Sequence, residues 1–266
     1  MPKISIVVTT YNRKELLRET IQSILNQTFN NFELIVIDNF SNYNFLEFIK
    51  EFDDPRISAF QNKNEGIIAV NRNFGMRLAK GEFIALCDDD DLWEVEKLSN
   101  QIKILEKKQN YAMVCTASSF IGIAEKKNFR KLISNLIFKM IAFNWVHSKY
   151  LLLGITYITN SSVLFRSRIL SDIGYISEEP SLVSVEDYDF WIQIGCFSNI
   201  YFLNKKLVKY RFHTSQVSTH NLKESLLKTE KVIYKNWGKL NRLQKIICKT
   251  KSFLNNMKPK LKLSTI

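Results

Sequence analysis

The sequence predicts an α/β fold, a mostly parallel Rossmann-like central sheet flanked by helices, and three observations predict it. Short apolar strands alternate with amphipathic helices along the first 90 residues. Two of those strands end directly on carboxylates, at Asp38 and at Asp88. The polar connections between them are short, as parallel strands with crossover helices require.

Ile4 to Val8 is the first strand, and Thr9 to Asn12 supplies side chains suited to capping the helix that follows. Apolar positions Leu16, Leu17, Ile21, Ile24 and Leu25 give that helix, over Lys14–Leu25, one buried face. Phe32–Ile37 reads as a second strand ending at Asp38, and Tyr43–Lys50 as a second helix. Ile57–Phe60 makes a third strand, Ile67–Leu78 a third helix, and Phe83–Cys87 a fourth strand that runs into Asp88, Asp89, Asp90 and Asp91. In such sheets ligands bind beyond the carboxyl ends of the strands, so Asp38 and Asp88 are expected on one rim.

The second half is less regular. Leu132, Leu136, Ile137, Met140, Ile141 and Trp145 fall at helical spacing among basic residues, fitting either a core helix or one lying in a membrane interface. A last helical pattern runs from Leu222 to about Leu254. The expected organisation is a domain over 1–220, divided into halves at 1–115 and 116–220, with a basic helical tail over 221–266.

The net charge of +12 is concentrated in that tail, where 12 Lys or Arg stand against 2 Glu. This is either a solvated helical face or a patch for an anionic surface. The four cysteines are scattered without metal-ligand spacing, which argues against a zinc site or disulfide framework and for reduced thiols. The first strand begins almost at the first residue, leaving no room for a signal peptide, and no apolar run is long enough for a membrane span.

Four successive aspartates repel one another unless a cation intervenes, and hard divalent ions suit their oxygens. By itself the run also fits an acidic turn capping a helix near Trp93. Glu186 and Asp187 open a second helical pattern, where carboxylates suit either simple capping or proton transfer. Arg211 and His213 lie among hydroxyls in a segment suited to phosphate.

Together these motifs resemble the family 2 inverting glycosyltransferases, with their GT-A nucleotide-diphospho-sugar fold. The likeness is strong over about 3–115, returns at Asn160–Arg166, and is strong again from Gly174 to Gly195. It implies that Thr9, Thr10, Tyr11, Asn12 and Arg13 form a donor loop, with Thr9 where a proline is common. It implies that Asp38 and Ser41 meet the nucleotide base, that Arg72 and Asn73 help hold the nucleotide, and that Gly75 and Gly81 fit close turns. Asp88–Asp90 resembles the DXD motif: Asp88 and Asp89 contact the donor, Asp90 binds Mn2+ or Mg2+ with Asp88 and His213, and Asp91 does no more than cap the next helix. Glu186–Asp187 resembles the Glu-Asp pair whose second acid is the catalytic base, Trp191 lines the acceptor side, and Arg211 with His213 neutralises the leaving diphosphate.

The activity implied is metal-dependent transfer of a hexose or N-acetylhexosamine, from a UDP-sugar, to a hydroxyl of a glycan or lipid-linked acceptor of a bacterial surface polysaccharide. The expected location is cytoplasmic, peripheral to the anionic inner membrane, with no nucleic-acid partner. The rivals are a nucleotidyltransferase on a related fold, which usually carries a Gly-rich, Lys-containing first loop, and a basic nucleic-acid-binding protein, for which no recognisable module is present.

Overall fold

The computed structural model describes residues 1–122, 158–212, 222–242, 245, 246 and 248. The expected amphipathic segment at 132–146 and His213 lie outside them. Strands β1 (Ile4–Thr10), β2 (Phe32–Asp38), β3 (Ile57–Gln61) and β4 (Phe83–Asp88) alternate with helices α1 (Lys14–Leu25), α2 (Phe45–Lys50) and α3 (Ile68–Leu78), as the apolar periodicity predicts. After the acidic run come β5 (Leu92–Trp93), α4 (Lys97–Lys107) and β6 (Tyr111–Gly122). Then follow β7 (Val163–Arg166), α5 (Ile169–Ile173), α6 (Glu186–Phe197), β8 (Asn199–Phe212) and α7 (Leu222–Lys235).

All eight strands form one sheet in the order β3-β2-β1-β4-β7-β6-β8-β5. The half built from β1 to β4 is parallel. Beyond it the sheet is mixed: β7 runs antiparallel to both β4 and β6, β8 is parallel to β6, and β5 is antiparallel to β8. β1 lies between the two acid-tipped strands, with Thr10 paired to Asp38 and Thr9 to Asp88. That register puts both carboxylates on one rim, as expected.

Helices cover both faces, giving two apolar clusters: one joins α1, α2 and α4 to the sheet, the other packs α6 on the opposite face. Gly75 is not in a turn but in mid-α3, where an added Cβ would stand 2.4 Å from Val7 Cγ1; it lets the helix lie close on β1. Gly81 likewise permits close approach, since its Cβ would meet the Ser5 backbone nitrogen at 2.6 Å. The helix expected near Trp93 starts later, at Lys97, and Trp93 pairs in β5 instead.

The domain boundary expected at 220 does not separate two packing units among the described residues. Leu182, Val185, Tyr188 and Ile192 on one side pack with Val232, Ile233 and Leu240 on the other, forming a third apolar cluster. The C-terminal helix is therefore docked on α6. α7 ends at Lys235, a short 3-10 turn follows over Trp237–Lys239, and helical residues resume at Arg242, the last of the expected stretch to Leu254 lying outside the described residues.

Candidate active site

The rim is built around a salt-bridged node. Arg72, delivered from α3, donates from Nη2 to Asp88 Oδ1 (2.8 Å) and from Nη1 to Glu186 Oε1 (2.7 Å). One buried guanidinium thus ties the end of β4 to the start of α6, although the two acids lie far apart in sequence. Burial alone works against this cation, but the surrounding Asp88, Glu186 and Asp187 more than offset it and hold its pKa above the ordinary value. Arg72, expected to help hold the nucleotide, stands at the rim between two carboxylates.

Each aspartate of the acidic run has a different setting. Asp88 accepts from Arg72 and from Asn160 Nδ2 (2.8 Å) on the same oxygen, and its side chain is 27% exposed. Asp89 is buried, taking Thr10 Oγ1 at 2.8 Å and Arg13 Nη1 at 2.8 Å. Burial chiefly raises its pKa, to about 6, against the pull of Arg13 and with help from Asp90. Asp90 also receives Arg13 Nη1, at 3.0 Å.

Asp91, expected to cap a helix, is instead completely buried and binds Ser161 Oγ (2.6 Å) and the Arg211 backbone N–H (3.1 Å). Burial, reinforced by Asp88 and Asp90, pushes its carboxyl well above the usual range. It pins β8 and the turn before β7 beneath the rim. Ser161 also accepts from the Asp88 backbone N–H at 3.0 Å.

Neither Asn160 nor Ser161 was assigned a role from sequence. The signal available was a polar Asn-Ser-Ser run placed immediately before the apolar strand Val163–Arg166.

The first loop interlocks with the loop after β2. Asn12 donates its backbone N–H to Ser41 Oγ (2.7 Å) and accepts from the Asn42 backbone at Oδ1 (2.7 Å), while Asp38 takes the Ser41 N–H (3.0 Å) and Gln61 Nε2 (2.9 Å). Asn12 and Phe40 both hold positive φ, 54° and 57°, a conformation that costs a non-glycine residue about 1 kcal/mol. Tyr11 and Phe40 stand exposed beside Asp38, whereas Thr9 is buried. The capping role expected of Thr9 to Asn12 is not seen: the residue preceding α1 is Arg13, and no side chain caps that helix.

Two other residues stand elsewhere than expected. Asn73 is engaged with the Ile176 carbonyl (2.8 Å), the Ile176 N–H (3.1 Å) and Glu178 (2.7 Å), fastening α3 to the segment before α6 rather than facing a nucleotide. Trp191 is 1% exposed and packs beside Phe190 in the core, not on an acceptor surface. Arg211 donates to the Asp90 carbonyl (2.9 Å) and to Glu19 (2.5 Å), which places it at the acidic run.

Glu186 and Asp187 occupy the first turn of α6, where the helix dipole favours carboxylates. Glu186 is buried and its Oε2 has no hydrogen-bond partner among the described residues; it lies against Ile67, Ala69, Ser177, Glu179 and Val183 in a crevice too narrow for water. Asp187 is half-buried and takes the Tyr188 N–H at 2.7 Å. Burial, then the neighbouring Glu186 charge, raises its pKa to about 7, with Arg72 opposing. A carboxylate so poised is a competent general base near neutral pH.

The matching family model is the one described as glycosyl transferase family 2, over residues 5–174. The chain belongs to this family. It is a glycosyltransferase, and its mixed eight-stranded sheet is the GT-A fold. An uncharacterized glycosyltransferase of Methanocaldococcus jannaschii is 30% identical over 243 residues, covering 89% of this chain and 80% of the relative. The Escherichia coli UDP-Glc:alpha-D-GlcNAc-diphosphoundecaprenol beta-1,3-glucosyltransferase WfgD is 29% identical over 232 residues, covering 83% of this chain and 81% of that enzyme.

Among solved structures, S. aureus TarS 1–349 in complex with UDP-GlcNAc aligns with a TM-score of 0.73 at 18% identity, over 94% of this chain and 71% of that one. The Pyrobaculum calidifontis mannosyltransferase in complex with GDP-Man and Mn2+ aligns with a TM-score of 0.62 at 14% identity, over 99% of this chain and 83% of that one.

The fold implies a divalent metal, and the donor chemistry on the rim fits one. Asp88 and Asp90 offer hard carboxylate oxygens, and Asp88 Oδ2 carries no hydrogen bond among the described residues. No group of three potential ligands converges among the described residues. Mg2+ and Mn2+ take one or two carboxylates and complete their shells with water and phosphate.

Proposed function

We propose that this glycosyltransferase moves a hexose or N-acetylhexosamine from a UDP-sugar to a hydroxyl of a lipid-linked glycan, with inversion, in synthesis of a bacterial surface polysaccharide. The observation that carries the reading is the Asp88–Arg72–Glu186 node, which holds a donor-side carboxylate and the first turn of the catalytic helix in one rigid unit. The sugar donor lies over the carboxyl ends of β1, β2 and β4, its base beside Asp38 and the exposed Tyr11 and Phe40. Asp88 and Asp90 hold Mn2+ or Mg2+, which when bound neutralises charge on the diphosphate.

Asp187 accepts the proton of the acceptor hydroxyl as that oxygen attacks the anomeric carbon on the face opposite the nucleotide. The bond from the anomeric carbon to the diphosphate oxygen breaks, and the configuration inverts. Arg13 and Arg211, both anchored on the acidic run, lie where positive charge helps retain the leaving diphosphate. The lipid-linked acceptor is supported by relatives such as WfgD, whose name specifies a diphosphoundecaprenol-linked sugar.

A peripheral position at the cytoplasmic face of the inner membrane follows from such an acceptor. No helix among the described residues is long and apolar enough to cross a membrane.

A panel of UDP- and GDP-sugars assayed for nucleotide release tests the proposal. UDP-sugars with Mn2+ are expected to turn over and EDTA to abolish the signal. Activity unchanged by EDTA, or confined to GDP-sugars, would overturn the metal or donor assignment respectively.

A further inference from the structure

The charge concentrated in the C-terminal segment is the largest feature of the sequence that the transfer chemistry leaves unused, and lysines of α7 and the turn after it reach across the surface to the region of α6. Lys228 donates to the Val183 carbonyl (3.0 Å), Lys231 to Ser181 (2.6 Å), Lys235 to Ser177 (3.1 Å) and Lys239 to Gln193 (2.8 Å). These acceptors lie on the segment leading into α6 and on α6 itself. Surface contacts of this type contribute little individually.

Beneath them is a buried contact of another kind. Asp189, in the first turn of α6, is fully buried, and Asn236, just past α7, is 1% exposed. Asn236 Nδ2 donates to Asp189 Oδ1 at 2.6 Å, while Lys235 Nζ and Gln193 Nε2 both reach Oδ2 at 3.1 Å. Both oxygens of a buried carboxylate are thus satisfied, two of the three donors coming from the C-terminal segment. The apolar cluster of Val185, Tyr188, Ile192, Val232 and Ile233 surrounds the contact.

Successive helix residues turn by about 100°, so Asp187 and Asp189 point to nearly opposite sides of α6. Fixing Asp189 from behind therefore fixes the rotation of the turn that carries Asp187. Glu186, three residues before Asp189 and on nearly the same face, carries the bridge to Arg72.

We propose that Asn236 and Lys235, acting on Asp189, are positioning residues of the active site: the C-terminal helix is a brace that sets the rotation of α6 and hence the placement of Asp187. The inference rests on Asp187 being the base. The brace touches neither donor nor acceptor; its loss lowers turnover and leaves donor affinity in place. Misplacement of a catalytic group by about 1 Å costs up to roughly a hundredfold.

The test is a charge swap in the full chain. Asn236→Asp sets two carboxylates against each other, and Asn236→Asp with Asp189→Asn restores one amide–carboxylate pair. UDP-glucose with Mn2+ and a synthetic N-acetylglucosamine-diphospholipid serve as substrates, alongside hydrogen exchange over residues 177–192.

Asn236→Asp is expected to lower kcat by about tenfold or more, with donor KM within about twofold, and to speed exchange at 186–192; the double variant recovers both. Should Asn236→Asp fail to fold, Lys235→Met, which removes only a half-exposed cation, gives the same split with smaller size.

A folded Asn236→Asp protein with wild-type kcat, a parallel loss of kcat and donor affinity, or no recovery in the swap would overturn the brace. Asp187→Asn run in parallel separates the two ideas: if it retains turnover, the assignment of the base fails, and if it is inactive while Asn236→Asp keeps wild-type kcat, only the brace fails. If the wild type is inert on these substrates, the exchange measurement decides, and unchanged protection at 186–192 in Asn236→Asp overturns the proposal.

Discussion

Replacing Asp187 with Asn is expected to reduce transfer by at least about a hundredfold while UDP still binds, because positioned proton transfer is worth roughly 10²–10⁴. The donor site proposed lies on β1, β2 and β4, whereas Asp187 lies on α6, so the substitution is expected to leave nucleotide binding in place. Calorimetric titration with UDP and Mn2+ checks binding, and an acceptor-dependent assay checks turnover. The wild-type pH profile carries the same information. Asp187 must be ionised to act, and burial together with Glu186 raises its pKa to about 7, so kcat/KM should fall about tenfold per pH unit below 7 and level off above it. A profile flat from pH 5 to 8, or near-normal turnover of the Asn variant, would remove Asp187 from its role.

Arg72→Met has the largest expected effect on stability. The side chain is 6% exposed and is the only guanidinium among the described residues that bridges Asp88 and Glu186, so its removal leaves a buried carboxylate uncompensated. Breaking such a pair costs about 3–5 kcal/mol, which in a chain of this size corresponds to a fall in Tm of roughly 10 °C. Because Arg72 opposes the rise in the Asp187 pKa, the acid limb of the remaining activity should also move to higher pH. Thermal denaturation and a pH profile read the two effects. A Tm within about 2 °C of wild type would show that the bridge is not a structural linchpin.

The first half of the fold was legible because its signals are local. Strands β1, β2 and β4 are apolar runs, α1 and α3 show the helical period, and the connections are short. The rim position of Asp38 and Asp88 followed from strand ends alone, even though β1 was not known to lie between them. The second half depends on contacts distant in sequence. β6 and β8 pair in parallel although Tyr111 aligns with Asn199, and β8 carries an Asn-Lys-Lys stretch that interrupts any strand-like apolar pattern.

Side-chain roles were legible only where one carboxylate or cation dominates its surroundings. The place of Asp187 at the start of a helix could be read, but nothing near Asp91 in sequence announces Ser161 or the Arg211 backbone. Trp191 was expected on the acceptor side; the tertiary packing of Phe190, Phe165 and Ile194 buries it. The basic tail shows the same limit, because a lysine facing water and one facing Glu179 or Asp189 have identical local sequence signatures.

The central claim is that a single carboxylate activates the acceptor on the face opposite the departing diphosphate. The anomeric configuration of the product, read by proton NMR after transfer from a UDP-α-sugar, tests it most directly. A β-linked product is predicted, since one displacement inverts the centre. An α-linked product would require a second displacement or front-face attack, and would contradict the role given to Asp187.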